Sequence, residues 1–204
     1  MMTPRLARPA AALVAAVAWA GLGAQLNETL HMTGSVGAAL WVLLRFFTII
    51  TNLSLAVVFS LVAARTADDR AARFVPALTL AILLVGVVYA LLLDGLERLT
   101  GTAILANVLL HRVTPILVPL WWLAFAPKGK LGWGAPWRWA AFPLVYLPYA
   151  LARGRGEGKF AYPFLNIDLL GWAKVAITCA VIAAGFIIAG HLFVLLDRAF
   201  ARRS

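Results

Sequence analysis

The sequence predicts an all-α polytopic membrane protein with six transmembrane helices in one bundle. Three observations carry that prediction. Hydrophobic residues make up 63% of the 204 residues, and mean hydropathy is +0.91. The apolar residues gather into long runs, most of them near the ~20 residues needed to cross a bilayer core. The charged residues stand mostly between those runs. The formal charge of +10 therefore reads as loop and tail charge that orients helices and meets anionic lipid headgroups. It does not point to nucleic acid. The expected partners are membrane lipids, and oligomeric state is left open. The single cysteine, Cys179, excludes an internal disulfide. His31, His111 and His191 lie on three different segments, so neither a metal nor another cofactor is expected.

The first segment runs from about residue 10 to 27, after a short basic start with Arg5 and Arg8. Ala18-Trp19-Ala20 also fits a signal-peptide cleavage site, but cleavage there leaves the remaining charges awkwardly placed. A short loop with Thr29, His31, Thr33 and Gly34 is expected next. The second segment spans about 38 to 64 and stops at the charged stretch Arg65–Arg73. The third spans 74 to 93, with Pro76 in its first turn, where a missing N–H costs little. The fourth spans 102 to 125, and Pro115 and Pro119 predict a kink in it. The fifth, 137 to 151, is the shortest and is interrupted by Pro143 and Pro148. Trp133, Trp137 and Trp139 beside it read as interfacial anchors. The glycine-rich stretch Arg153–Lys159 predicts irregular backbone without phosphate-loop spacing. The sixth segment spans 169 to 196. The N-terminus, the 65–73 and 127–138 loops and the C-terminal tail hold eleven Lys or Arg, against four in the opposite loops. That asymmetry places both termini in the cytoplasm of a multi-pass cell-membrane protein.

Polar residues inside hydrocarbon are expensive and must face protein or trapped water. On the second segment Arg45, Thr48 and Asn52 follow at spacings of three and four, which is one face of a continuous helix. Asn107, His111 and Thr114 share a face of the fourth segment in the same way. Thr48 and His111 lie at similar depths, roughly 15 and 13 Å below the outer ends of their helices at 1.5 Å per residue. Lys174 and Thr178 share a face near the outer end of the sixth segment. Arg112 points away from His111 and either snorkels or pairs with a loop acid.

A cavity open toward the outer leaflet follows from that concentration, and several chemistries fit it. A threonine activated by a histidine base is a nucleophile. Asn52 is a candidate donor to an oxyanion, and Arg45 or Lys174 suits a carboxylate headgroup. The substrate would be a fatty acid ester whose acyl chain lies among the aliphatic inner residues. Each residue also has a plainer reading. Thr48 can bond back to its own helix, Asn52 can join helices, His111 can pack as a neutral ring, and Arg45 and Lys174 can snorkel. A non-catalytic protein binding a lipid or amphiphile in the same cavity, or a small carrier, remains open at this point. A carrier would want polar residues continuing to the inner face, and the inner half is nearly all aliphatic.

Three motifs resemble a known family. Phe46-Phe47-Thr48 is similar to the start of the second helix in the androgen-induced and androgen-dependent TFPI-regulating membrane proteins. Leu110-His111-Arg112-Val113-Thr114-Pro115, with Pro119, resembles their fourth-helix histidine segment. Tyr162-Pro163-Phe164-Leu165 matches their Tyr-Pro-Phe-Leu before the last helix. The order and spacing cover about residues 40 to 200, and the chain looks closer to the family's bacterial six-helix relatives than to its animal members. The resemblance implies a six-helix fold and an intramembrane threonine hydrolase acting on fatty acid esters of hydroxy fatty acids. Thr48 matches the family's nucleophile. The animal members carry His-x-x-His on the fourth helix with the second histidine catalytic. Aligned on Pro119, His111 matches the first and Thr114 stands at the second.

Overall fold

A computed structural model describes residues 4–64, 72–96 and 98–202. All regular structure among them is helical. The chain forms two compact units, Met1–Ala126 and Pro127–Ser204. Among the described residues, five helices suit a membrane by length and composition: Leu6–Thr33, Phe47–Ala64, Ala72–Leu93, Thr102–Phe125 and Ile167–Ala201. They fit a membrane location, and many of their large apolar side chains face outward, as lipid-facing residues would.

In the first unit, α1 (Pro4–Thr33) runs past the expected loop. The hydroxyls of Thr29 and Thr33 each donate to the carbonyl one turn back, at 2.8 and 2.9 Å, so the polar end stays helical until Gly34 turns the chain at φ +73°. One face of α1 carries Ala11, Val14, Ala15 and Ala18, all buried. These small residues let α1 lie close along α3.

The second apolar segment is divided. Helix α2 (Val36–Leu43) is capped by Ser35, whose hydroxyl accepts from Ala38 N at 3.3 Å. Helix α3 (Phe47–Ala64) starts afresh. Between them, Arg45 N and Phe46 N reach back only three residues, to Val42 O and Leu43 O, and Phe46 O then receives both Ile49 N and Ile50 N. The stripe expected across Arg45, Thr48 and Asn52 is thus confined to Thr48 and Asn52. Arg45 belongs to the link between two helices. No glycine or proline marks this break in the sequence.

Helix α4 (Val75–Val88) continues into a π-helical turn, Tyr89–Leu93, closed by Asp94 N on Tyr89 O at 2.8 Å. The next span is composite: α5 (Thr102–Val108), a second π-turn (Leu109–Val113) and α6 (Thr114–Phe125). Pro115 explains the second π-turn. In a regular helix its ring would collide with the carbonyl four residues earlier, His111 O. Widening the turn relieves that collision, and the expected irregularity at Pro115 takes this form. The core of the unit includes Leu55, Phe59, Leu80, Val118 and Trp122, with Phe59 edge-on to Trp121 at 5.2 Å.

The second unit contains α7 (Ala135–Trp139), α8 (Ala141–Glu157) and α9 (Ile167–Ala201). The expected fifth segment is shared between α7 and α8 and is not among the five long apolar helices. The stretch expected to be irregular, Arg153–Lys159, is helical up to Glu157. Arg153 Nε donates to Glu157 one turn on at 2.7 Å, and Gly154 lets the Phe160 ring pack against the backbone. The helix ends at Gly158, at φ +64°, and Lys159 follows outside it. Tyr162-Pro163-Phe164-Leu165 forms a short turn that buries Leu165 ahead of α9. Gly171, at φ +75°, interrupts the start of α9. Asp197 is buried and accepts from Leu131 N at 3.0 Å, fastening the loop that follows Pro127 to α9. Of the charged stretch 65–73, residues 65–71 lie outside the described residues, as do Arg203 and Glu97.

The contact between α4 and α6 gives a direct check. A Cβ on Gly86 would lie 2.8 Å from Pro115 Cβ, whereas one on Gly23 meets nothing within 4 Å. Gly86→Val should therefore cost about 1–3 kcal/mol, seen as a lower thermal midpoint of the purified protein, and Gly23→Val should leave the midpoint close to wild type.

Candidate functional site

The π-turn at Leu109–Val113 leaves one carbonyl without a helical partner. Thr114 N bonds to Leu109 O across the wide turn. Leu110 O would then need the N–H of residue 115, which is proline and has none. In an apolar core such a carbonyl is costly unless side chains satisfy it. Asn52 does so, its Nδ2 donating to Leu110 O at 3.3 Å. Thr114 Oγ1 lies 3.1 Å from the same oxygen, an alternative acceptor for its one proton.

Asn52 is fully buried and makes three contacts. Its amide nitrogen also donates to Thr48 O at 2.9 Å, and its Oδ1 accepts from the Thr114 hydroxyl at 2.9 Å. The residue expected to donate to a bound substrate thus commits its amide to two carbonyls. It clamps the first turn of α3 to the π-turn. Thr48, the second residue of α3, is buried. Arg45 is buried in the link just before α3.

The expected shared face of Asn107, His111 and Thr114 is split by the π-turn. Thr114 turns to Asn52 on α3. Asn107 and His111 turn to Tyr89, on the π-turn that ends α4. The His111 imidazole stacks on the Tyr89 ring, with centroids 4.4 Å apart and planes 29° apart. Its Nδ1 is buried and makes no hydrogen bond of ordinary length and angle among the described residues. The Tyr89 hydroxyl accepts from Asn107 Nδ2 at 2.7 Å and donates to Asp94 Oδ1 at 2.8 Å. Arg112 Nη2 pairs with both Asp94 oxygens at 3.0 Å, so the loop acid expected for Arg112 is Asp94. The Tyr89 hydrogen bond, then the Arg112 charge, holds the Asp94 carboxyl below its ordinary range, so it is anionic at neutral pH.

Lys174 lies in the second unit, exposed on α9, and its carbonyl accepts from Thr178 Oγ1 at 3.0 Å. Tyr89 was not expected from sequence, and Asp94 only as an unnamed loop acid for Arg112. Tyr89 sits in an unbroken apolar run, and its one sequence signal is an acid five residues on. Among the described residues, no group of three His, Cys, Asp or Glu could hold a metal ion.

The fold and site define a class: an all-helical protein with long apolar helices that fit a membrane, holding a buried polar cluster between α3, α4 and a π-turned helix. Comparison with protein-family models, curated proteins and solved structures finds no match for the chain.

The clamp predicts its own energetics. Asn52→Leu should destabilise the protein by about 1–2 kcal/mol, the upper range for hydrogen bonds between membrane helices. Because Thr114 shares its partners, Asn52→Leu with Thr114→Val should cost less than the sum of the single changes. Additive losses in thermal or denaturant unfolding would refute a shared network.

Proposed function

We propose that the protein is an intramembrane hydrolase of a lipid fatty acyl ester, with Thr48 as nucleophile and His111 as general base. The observation that carries this reading is the Asn52 clamp. One carboxamide binds the carbonyl of Thr48 and that of Leu110, the residue before His111, so the two residues start from backbone positions tied by a single side chain. Thr48 lies in the first turn of α3, where the helix dipole favours developing negative charge. His111 lies on a π-turn, a feature that recurs at functional sites. The resemblance of the Phe46-Phe47-Thr48, His111 and Tyr162-Pro163-Phe164-Leu165 motifs to membrane threonine hydrolases supplies the reaction class.

In this reading the Thr48 hydroxyl adds to the acyl carbon while its proton passes to His111. The tetrahedral oxyanion collapses, the ester C–O bond breaks, and the alcohol leaves with the proton from His111. Water then adds to the acyl-threonine, giving its proton to His111. Thr48 leaves with that proton, and a free fatty acid is released. Arg45 supplies a cationic contact for a substrate carboxylate. The chain crosses the cell membrane six times, with residues 137–151 as the fifth crossing and both termini in the cytoplasm, following the basic-residue asymmetry.

Labelling by a fluorophosphonate probe tests the reading. Wild-type protein should label, and Thr48→Ala and His111→Ala should each lose labelling by about 100-fold or more while remaining folded. Undiminished labelling of Thr48→Ala would overturn the nucleophile. A folded wild-type protein inert to the probe would favour a non-catalytic lipid-binding role, to be pursued by identifying co-purified lipid.

A further inference from the structure

A base is useful only if its ring is held in one orientation, and the backbone holds His111 only weakly. Its buried Nδ1 makes no hydrogen bond of ordinary length and angle, and the Asn107 backbone one turn back is a loose partner. Contrast His191, whose Nδ1 lies 2.8 Å from Ile187 O, one turn back. A carbonyl can only accept, so that ring is fixed by its own helix. In His111 the equivalent contact with the Asn107 backbone falls outside ordinary hydrogen-bond geometry. What His111 has instead is the face of Tyr89 at 4.4 Å.

Tyr89 is itself immobilised. Its ring is nearly buried. Its hydroxyl is held from both sides, receiving a hydrogen bond from Asn107 and giving one to Asp94. Asp94 is held in turn by Arg112 through both carboxylate oxygens. Asn107 and Arg112 stand on the same composite helix as His111, four residues before it and one after. The circuit therefore leaves that helix at Asn107, passes through Tyr89 and Asp94, and returns at Arg112. The imidazole stacks on the tyrosine at the centre of this loop. The hydroxyl, engaged on both sides, has no role left as a proton donor to the reaction. Its contribution is to fix the ring.

We propose that Tyr89, clamped by Asn107, Asp94 and Arg112, is the positioning residue that fixes the plane of the His111 imidazole. The catalytic consequence rests on the hydrolase reading above; the restraint on the ring does not.

The test uses full-length protein in lipid nanodiscs with ¹⁵N-labelled histidine. There are three histidines, and the His111 resonances are assigned by their loss in His111→Gln. Wild type is compared with Tyr89→Leu, which removes the aromatic face, and with Tyr89→Phe, which keeps the face and removes only the hydroxyl. Tyr89→Phe also protects the test if Tyr89→Leu does not fold. Imidazole ¹H–¹⁵N correlations report ring order, and the rate of fluorophosphonate labelling at saturating probe reports the catalytic consequence.

The expected result is one narrow His111 signal set in wild type. That set broadens or splits in Tyr89→Leu and is intermediate in Tyr89→Phe. The saturating labelling rate should fall about 10- to 100-fold in Tyr89→Leu, with half-saturation by probe unchanged and partial recovery in Tyr89→Phe. His111 signals that stay narrow in both variants would overturn the proposal. A wild-type protein that fails to label while its His111 signals still depend on Tyr89 would uphold the positioning role and reject the hydrolase reading.

Discussion

An amide buried among aliphatic side chains can send its hydrogen bonds only to other protein groups, and a carbonyl in the same place must find a donor there. Asn52 and Leu110 O meet this requirement in each other. The constraint begins with one residue. Pro115 withholds an N–H and forbids a regular turn before it. The helix widens into a π-turn, and Leu110 O is left over. The Asn52 amide fills the gap, accepts from the Thr114 hydroxyl and simultaneously reaches Thr48 O. Four residues, Thr48, Asn52, Leu110 and Thr114, from two helices are thereby committed to one another, and the first turn of α3 is held against the segment that carries His111.

The widened turn also decides where neighbouring side chains point. In a regular helix Asn107, His111 and Thr114 would share a face. Here Thr114 goes to Asn52 while Asn107 and His111 go to Tyr89. The polar interior thus has two lobes joined by Leu110. One is a closed knot around Asn52. The other is a circuit through Tyr89, Asp94 and Arg112 around an imidazole. Asp94 stands at the rim, and its carboxylate, kept ionised by Tyr89 and Arg112, anchors the second lobe. The close approach that permits both lobes relies on small residues, above all Gly86 facing Pro115.

Much of this was legible in the residues. Apolar run length marked the long helices, because a run near 20 residues has few other uses. Thr48, Asn52, His111 and Thr114 stood out because polar groups in such runs need partners. Other features were not legible. The break before Phe47 has no glycine or proline to mark it, so Arg45 was assigned to the wrong helix. The end of α1 looked like a loop because it is polar, but its threonines satisfy their hydroxyls within the helix. The Arg153–Glu157 pair kept a glycine-rich stretch helical. Tyr89 was hidden because tyrosine in an apolar run usually means packing or an interface, and only three-dimensional contact reveals both partners of its hydroxyl.

The central claim is that Thr48 becomes covalently acylated. Its most direct test is peptide mass spectrometry on protein mixed briefly with p-nitrophenyl palmitate and acid-quenched. The account predicts a palmitoyl adduct on the peptide containing Thr48, which accumulates before steady state and disappears in Thr48→Ala. An adduct on another residue, or ester hydrolysis that survives unchanged in Thr48→Ala, would contradict it.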